Sequence, residues 1–129
     1  DELGIGEYVE FLGFIENTNS LLVDSDCFVL PSLSEGMSNA LLEAMAVGLP
    51  CIASDIAGNN SLIRDRYNGI LVPARDEIAL AMALLEISQD AGLRQRLGQA
   101  ARRTVEEQYS LHSVAQRYAA LYQSLLCSM

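Results

Sequence analysis

The chain has 129 residues, half of them hydrophobic, which is enough to form a core and one domain or part of one. Its net charge is −9 and all eight basic residues are arginine, so binding to the phosphate backbone of nucleic acid is not expected. No apolar run approaches the ~20 residues that span a bilayer. The chain starts at Asp1 without methionine, and we expect it to be a segment of a longer protein.

The first half of the chain alternates between strand and helix patterns. Alternating apolar residues predict a strand over Tyr8–Phe14, and residues 17–25 fit a short helix capped by Asn or Thr. The apolar run Cys27–Pro31 is typical of a parallel strand that is covered on both faces. A helix is predicted over Asn39–Val47, closed by Gly48 and Pro50.

The second half begins with the same alternation and ends in helices. It predicts strands at Cys51–Ser54 and at residues 69–73, with a short helix over Asn59–Arg66 between them. From Glu77 onward every pattern is helical. Three helices are predicted, and the core face of the first carries Leu80, Leu84 and Ile87. That of the second carries Leu93, Leu97, Ala101 and Val105. The last helix is capped by Ser110, and its core face carries Val114, Tyr118, Leu121 and Leu125.

Alternating strands and helices predict an α/β fold, with a parallel sheet of four strands, flanking helices and a C-terminal helical tail. Ligands of such sheets bind outside the carboxyl ends of the strands, where the loop Ser32–Ser38 lies. The three cysteines make no disulfide framework. Cys27 and Cys51 head apolar runs and are expected to be buried thiols in a reducing compartment, the cytoplasm.

The stretch "PSLSEGMSNALLEAMAVGLPCIAS" carries the candidate site. Its helix begins at Ser38 or Asn39, and the free N–H groups of a first helical turn favour phosphate. Glu43 lies about one turn further in, ~6 Å along the axis, with its side chain leaning back toward the helix start. It can therefore point at the mouth that Glu35 lines, and Gly36 lets backbone approach a ligand. Carboxylates accept hydrogen bonds from sugar hydroxyls, so a nucleotide diphosphate sugar fits the whole set.

The longer stretch "FVLPSLSEGMSNALLEAMAVGLPCIAS" resembles the donor-binding core of the retaining glycosyltransferases of the GT-B fold, the group 1 family, in which two Glu are separated by seven residues. Glu35 and Glu43 have that spacing. "YVEFLGF", "YNGILVPARD" and "LRQRLGQAARRTVEEQYS" are similar to the flanking family segments, so the resemblance covers nearly the whole chain. Where the family usually has Gly-Gly and Glu three residues later, this chain has Ala57-Gly58-Asn59-Asn60-Ser61.

The resemblance implies a role for each matching position. Glu35, the implied catalytic residue, would accept hydroxyls of the donor sugar, and Glu43 would accept those of the ribose. The remaining implied donor-binding positions are Gly36, Met37 and Ser38 beside the sugar, Asn39 and Ala40 beside the diphosphate, and Gly13 and Phe14 beside the nucleobase.

It also implies what the protein does. Residues 1–129 would be part of the domain that binds a UDP- or GDP-sugar for transfer to an acceptor, in polysaccharide or glycoconjugate synthesis. No metal cofactor is needed in this fold. Family members carry an N-terminal acceptor domain and two earlier strands whose Arg and Lys grip the diphosphate, and none of these precedes Asp1. The chain alone is therefore expected to be inactive.

Other functions have weaker support. Asp24-Ser25-Asp26 matches a metal-binding D-x-D, but at a helix end a turn with solvated carboxylates is favoured. Residues 36–40 resemble a hydrolase nucleophile elbow around Ser38, with His112 following, yet Ser38 lies seven residues past Pro31 and not at the tip of a sharp turn. A nucleotide- or sugar-binding module without turnover, or a structural fragment, is the remaining alternative.

Overall fold

Three short apolar runs form the sheet in the computed structural model, which describes residues 2–127. The strands are β1 (Phe28–Leu30), β2 (Cys51–Ser54) and β3 (Ile70–Val72). All are parallel, in the order β1-β2-β3, with Val29 opposite Ile52 and Ala53 opposite Leu71. Every residue of β2 is buried, as a central strand between two helical layers requires. The predicted α/β architecture is confirmed.

Helices connect and cover these strands. The three longest helices follow β3 with no strand between them, which confirms the helical C-terminal tail. In chain order the helices are α1 (Asn19–Val23), α2 (Asn39–Ala46), α3 (Ala57–Asn60), α4 (Glu77–Gln89), α5 (Ala91–Gln108) and α6 (Leu111–Cys127), preceded by a 3₁₀ turn at Gly6–Tyr8.

The core has two parts, one on each face of the sheet. On one face α2 and α5 cover β2 with Leu41, Met45 and Ala101, and on the other α4 and α5 cover β2 and β3 with Ile87 and Leu97. α5 thus contributes to both parts. Within residues 2–127 no helix is both long enough and apolar enough to cross a bilayer.

The capping predictions for α2 and α6 are confirmed. Ser38 is the N-cap of α2, and its Oγ accepts a hydrogen bond from the Leu41 N–H at 3.2 Å. Gly48 follows the helix with φ +81°, a conformation that glycine adopts without strain. Ser110 caps α6 through a 3.2 Å bond from the Ser113 N–H.

The predicted strand over Tyr8–Phe14 is wrong, so the described sheet has three strands and not four. Residues 2–14 are all exposed, and Phe11 and Phe14 are 95% and 94% exposed. A strand needs a neighbour for its backbone hydrogen bonds, and no described strand lies beside this segment. Alternation of apolar and polar residues indicates a segment with one apolar face, but it does not show whether a neighbouring strand is present.

The predicted helix over Asn59–Arg66 is also wrong in extent. α3 begins two residues earlier, at Ala57, and ends at Asn60. The chain then turns, because the Arg64 N–H bonds to the Asn68 side chain at 2.8 Å and Arg66 adopts φ +63°. Neither feature is compatible with a continuing helix.

Two helical core faces also differ from prediction. In α4, Ile87 is buried but Leu84 is 39% exposed, and Ala83 lies inside instead. In α6 no described residue is buried, and Tyr118, Leu121 and Leu125 are each more than half exposed. Much of the apolar stripe of α6 is therefore accessible to solvent.

The two strand cysteines lie on opposite faces of the sheet. Cys51 packs with the α2 side and Cys27 with the α4 side, since Phe28 and not Cys27 stands opposite Cys51. Burial raises the pKa of the Cys51 thiol, and burial followed by the nearby Asp26 raises the pKa of Cys27 to about 11. Cys51 is fully buried, as predicted, whereas Cys27 is half-buried.

Asn68 ties the turn after α3 to α5, and its removal is expected to destabilise the fold. Its Oδ1 accepts from the Arg64 N–H, and its Nδ2 donates to the Leu62 carbonyl at 3.1 Å and to Thr104 Oγ1 at 3.0 Å. Asn68→Ala removes the partner of the Arg64 N–H and of the buried Leu62 carbonyl, at ~1–3 kcal/mol for a buried group left unpaired. Urea unfolding followed by circular dichroism will measure the loss. The exposed Asn60→Ala should change stability much less, and equal losses in both variants would contradict this role.

Candidate functional site

The carboxyl end of β1 leads through residues 31–38 into α2, at the predicted position. Ser38 is buried and caps the helix, whereas Asn39 and Ala40 are exposed at its first turn. Ser38 Oγ occupies the Leu41 N–H, and the Leu42 N–H already bonds the Ser38 carbonyl at 3.1 Å. The helix start therefore offers the N–H groups of Asn39 and Ala40 to an anion.

Glu35 lies in the loop between β1 and α2 and is partly buried. Its Oε1 accepts a hydrogen bond of 2.7 Å from Ser32 Oγ. Gly36 and Met37 follow it on the surface, and Met37 is 56% exposed. Ser32 thus orients one oxygen of the Glu35 carboxylate and leaves the other available to accept from a ligand hydroxyl.

Glu43 projects from α2 toward the segment that enters α1. Thr18 Oγ1 donates to Glu43 Oε2 at 3.3 Å. The carboxylate lines a cavity of about 330 Å³, and the other residues that line it are Glu16, Asn17, Thr18, Asn19, Leu22, Ala46 and Val47. This cavity combines a carboxylate, a hydroxyl and side-chain amides over an apolar floor, which suits a polar ring that bears vicinal hydroxyls.

The two glutamates stand in different local settings. Glu43 is exposed and not buried in an apolar helix, because its side of α2 faces the cavity and not the sheet. Glu35 belongs to the loop and is not among the residues that line the Glu43 cavity. The helix start of α2 lies between them along the chain, so a ligand that reaches both carboxylates has to extend across that start.

Gly13 and Phe14, the positions predicted beside a nucleobase, lie in the exposed N-terminal segment. Gly13 has φ +65° and Phe14 is 94% exposed. Neither lines the Glu43 cavity, although the chain enters that cavity two residues later, at Glu16. Their role as base contacts stays a prediction.

Asn17 and Thr18 are the site residues that the sequence did not indicate. The pattern predicted only an Asn or Thr cap for α1, and in the structure Thr18 is the capping position, while Asn17 Oδ1 accepts from the Asn19 N–H at 3.0 Å. Their approach to Glu43 joins residues 25 positions apart and depends on how α1 packs beside α2. A polar "NTN" run directly before a helix was the only signal, and it is equally typical of a simple cap.

Ser38, the nucleophile of the hydrolase alternative, is buried as the cap of α2, whereas the acidic and histidine residues of the alternatives are exposed. Asp24 and Asp26 are exposed beside the end of α1, and His112 is exposed on α6, with Gln116 as its hydrogen-bond partner. In residues 2–127, no three His, Cys, Asp or Glu side chains are grouped as metal ligands.

A family comparison matches most of the chain. Residues 1–90 match the family described as glycosyl transferases group 1. A UDP-Gal:alpha-D-GlcNAc-diphosphoundecaprenol alpha-1,3-galactosyltransferase of Escherichia coli is 39% identical over 89 residues, which cover 69% of this chain and 23% of the relative. An N-acetyl-alpha-D-glucosaminyl L-malate synthase of Bacillus anthracis is 33% identical over 124 residues, covering 96% of this chain and 32% of the relative. The chain thus spans a third or less of the length of these two relatives.

Solved structures share the fold. Sucrose-phosphate synthase from Thermosynechococcus elongatus superposes with a TM-score of 0.86 at 31% identity, covering 99% of this chain and 33% of the other. The Anabaena protein HepE, crystallised in complex with UDP-glucose, gives a TM-score of 0.87 at 23% identity over 95% of this chain and 34% of that one. The second likeness concerns the fold alone.

Proposed function

We infer, from the premise that this chain belongs to the group 1 family of glycosyl transferases, that it forms the donor-binding part of a sugar transferase. The observation that carries the proposal is that Glu35 precedes the exposed start of α2 and Glu43 follows it along the chain, in the segment that leaves the carboxyl end of β1. Phosphate groups suit the helix start, and hydroxyls suit the two carboxylates.

The donor we propose is a UDP- or GDP-sugar. Glu43 accepts the ribose hydroxyls in the cavity that Asn17 and Thr18 complete, the N–H groups of Asn39 and Ala40 face the diphosphate, and Glu35 accepts hydroxyls of the sugar. Gly36, Met37 and Ser38 border the sugar through their backbone. UDP is the first nucleotide to test, because one relative is named for a UDP-sugar and HepE was crystallised with UDP-glucose.

The reaction we propose is transfer with retention of the anomeric configuration. When the bond between sugar and diphosphate breaks, negative charge grows on the leaving diphosphate. The N–H dipoles at the start of α2 stabilise this charge. Glu35 holds the sugar while its anomeric carbon reacts. We propose that no metal ion takes part and that the acceptor is bound by a part of the full-length protein outside these 129 residues.

Binding of the donor to the isolated chain tests this proposal. We expect weak binding of UDP and UDP-glucose in the presence of EDTA, with NMR shift changes at the amides of residues 17–19 and 35–43. GDP and ADP, titrated in parallel, report the base preference. A strict requirement for a divalent cation would contradict the metal-free mechanism. Shift changes confined to α5 and α6 would contradict the site itself.

A further inference from the structure

The turn that follows β2 is unusually well fixed by its own side chains. Asn59 is buried, and its Nδ2 donates to the Ser54 carbonyl at 2.9 Å. Asn60 Nδ2 donates to Asp55 Oδ1 at 3.0 Å, and the Asn60 N–H bonds the Ile56 carbonyl at 2.9 Å. The turn is therefore held to the end of β2 by two side-chain amides as well as by its backbone.

Gly58, inside this turn, lies directly against the Glu35 loop. A Cβ atom at Gly58 would overlap the carbonyl oxygens of both Glu35 and Gly36 and would lie 2.7 Å from the Glu35 carbonyl carbon. The φ angle of Gly58 is outside the left-handed region, so close approach and not backbone conformation makes glycine necessary here. The neighbours are backbone atoms, which cannot rotate away as the end of a side chain can.

The loop has little else to define its position. The hydrogen bonds recorded for residues 2–127 include the side-chain bond between Ser32 and Glu35, but no backbone bond of Glu35, Gly36 or Met37. Ser38, at the far end, is fixed as the cap of α2. The contact with Gly58 is thus the main constraint on the backbone that carries Glu35 and Gly36.

We propose that the 57–60 turn positions the Glu35–Gly36 backbone for the sugar portion of the donor, with Gly58 as the positioning residue and Asn59 and Asn60 as its anchors. This inference rests on the proposed function. It assigns the turn no contact with the nucleoside, because none of the turn residues lines the Glu43 cavity. The Oδ1 of Asn59 is buried and has no hydrogen-bond partner among the described residues.

The experiment compares UDP with UDP-glucose in the wild-type chain and in Gly58→Ala. The added methyl group has to displace the Glu35–Gly36 backbone, since the turn is the better anchored partner. We expect the affinity for UDP to stay within about twofold, while the ratio of UDP-glucose to UDP affinity falls by roughly tenfold, as expected for loss of one hydrogen bond to a charged group. In the ligand-free chain, the amide shifts of residues 35–37 should move as well.

Two glycine variants serve as controls. Gly92→Ala adds a methyl group in α5 beside the Asp90 side chain, which caps that helix, and should leave both affinities unchanged. Gly98→Ala forces a methyl group onto the Gly48 carbonyl, far from the loop in sequence, and reports what a destabilising glycine substitution does by packing alone. If Gly58→Ala does not fold, Asn60→Ala, at the exposed anchor, tests the proposal instead. In this variant we expect the ratio of UDP-glucose affinity to UDP affinity to fall by about two- to fivefold.

The outcomes separate this inference from the proposed function. The positioning role is overturned if Gly58→Ala binds UDP and keeps the wild-type ratio of UDP-glucose affinity to UDP affinity. Asn60→Ala provides this test if Gly58→Ala does not fold. In either case donor binding remains intact. An equal fall in the ratio in Gly98→Ala also overturns the positioning role, because general destabilisation then explains the effect. Absence of any nucleotide binding in the wild-type chain overturns both proposals.

Discussion

Replacing Glu43 with Gln is expected to weaken binding of UDP to this chain by roughly ten- to a hundredfold. The substitution keeps the size of the side chain and removes its charge. Hydrogen bonds to charged groups contribute ~1.5–3 kcal/mol, which corresponds to this range of affinity. Because Glu43 is exposed and has only the long bond from Thr18, its replacement should leave the melting temperature nearly unchanged. Titration calorimetry and thermal unfolding measure the two quantities separately.

Two further variants make this result specific. Glu107→Gln removes the same charge from an exposed position of α5 and should not alter UDP affinity, so it controls for the net charge of the chain. Thr18→Val removes the hydroxyl that orients Glu43 and should give a smaller loss than Glu43→Gln. A lowered melting temperature with unchanged UDP affinity in Glu43→Gln would instead assign this residue a structural role.

The second large effect concerns catalysis: the 129-residue chain by itself should not transfer sugar at a useful rate. Transfer requires donor and acceptor to be held in near-attack geometry, a contribution of ~7–11 kcal/mol. Among the described residues the candidate site offers two carboxylates and two helix N–H groups, the chain has no lysine, and Arg66 is already paired with Glu86 at 2.5 Å. No basic residue lines the Glu43 cavity, so that cavity supplies no cationic side chain to the leaving diphosphate, and slow donor hydrolysis is the most we expect.

Radiolabelled nucleotide sugars incubated with the purified chain and a panel of acceptors provide the assay. The Glu35→Ala variant is the matched control, because it removes the residue proposed to hold the reacting sugar. Turnover above background that disappears in Glu35→Ala would show that these residues suffice for transfer. The proposed dependence on other parts of the full-length protein would then be wrong.

The sequence predicted those parts of the fold whose signals are local. Continuous apolar runs identified all three strands, and Ser38, Gly48 and Ser110 marked helix ends correctly, because capping chemistry acts within a few residues. The strand over Tyr8–Phe14 was predicted wrongly, since pairing depends on a partner that a single segment cannot reveal.

In the candidate site, too, the local features were predicted and the contacts between distant segments were not. The order of Glu35, the helix start and Glu43 followed from spacing along one loop and one helix. The contact of Thr18 with Glu43, and that of Gly58 with the Glu35 loop, join residues more than 20 positions apart. They arise from the packing of α1 beside α2 and of the β2–α3 turn against the β1–α2 loop, which no local pattern encodes.

The packing of α2 on α5 also sets the time at which the candidate site can form during synthesis on the ribosome. α2 ends at Ala46, but its buried face is completed by Ala101, and the Gly48 turn that closes it rests on Gly98. A nascent chain that has emerged only through β3 therefore has all the proposed donor-binding residues but lacks the helix that holds α2 in place. Since emerging segments can acquire stable tertiary structure only when their packing partners are present, the site becomes ordered late, after more than half of α5 has left the exit tunnel.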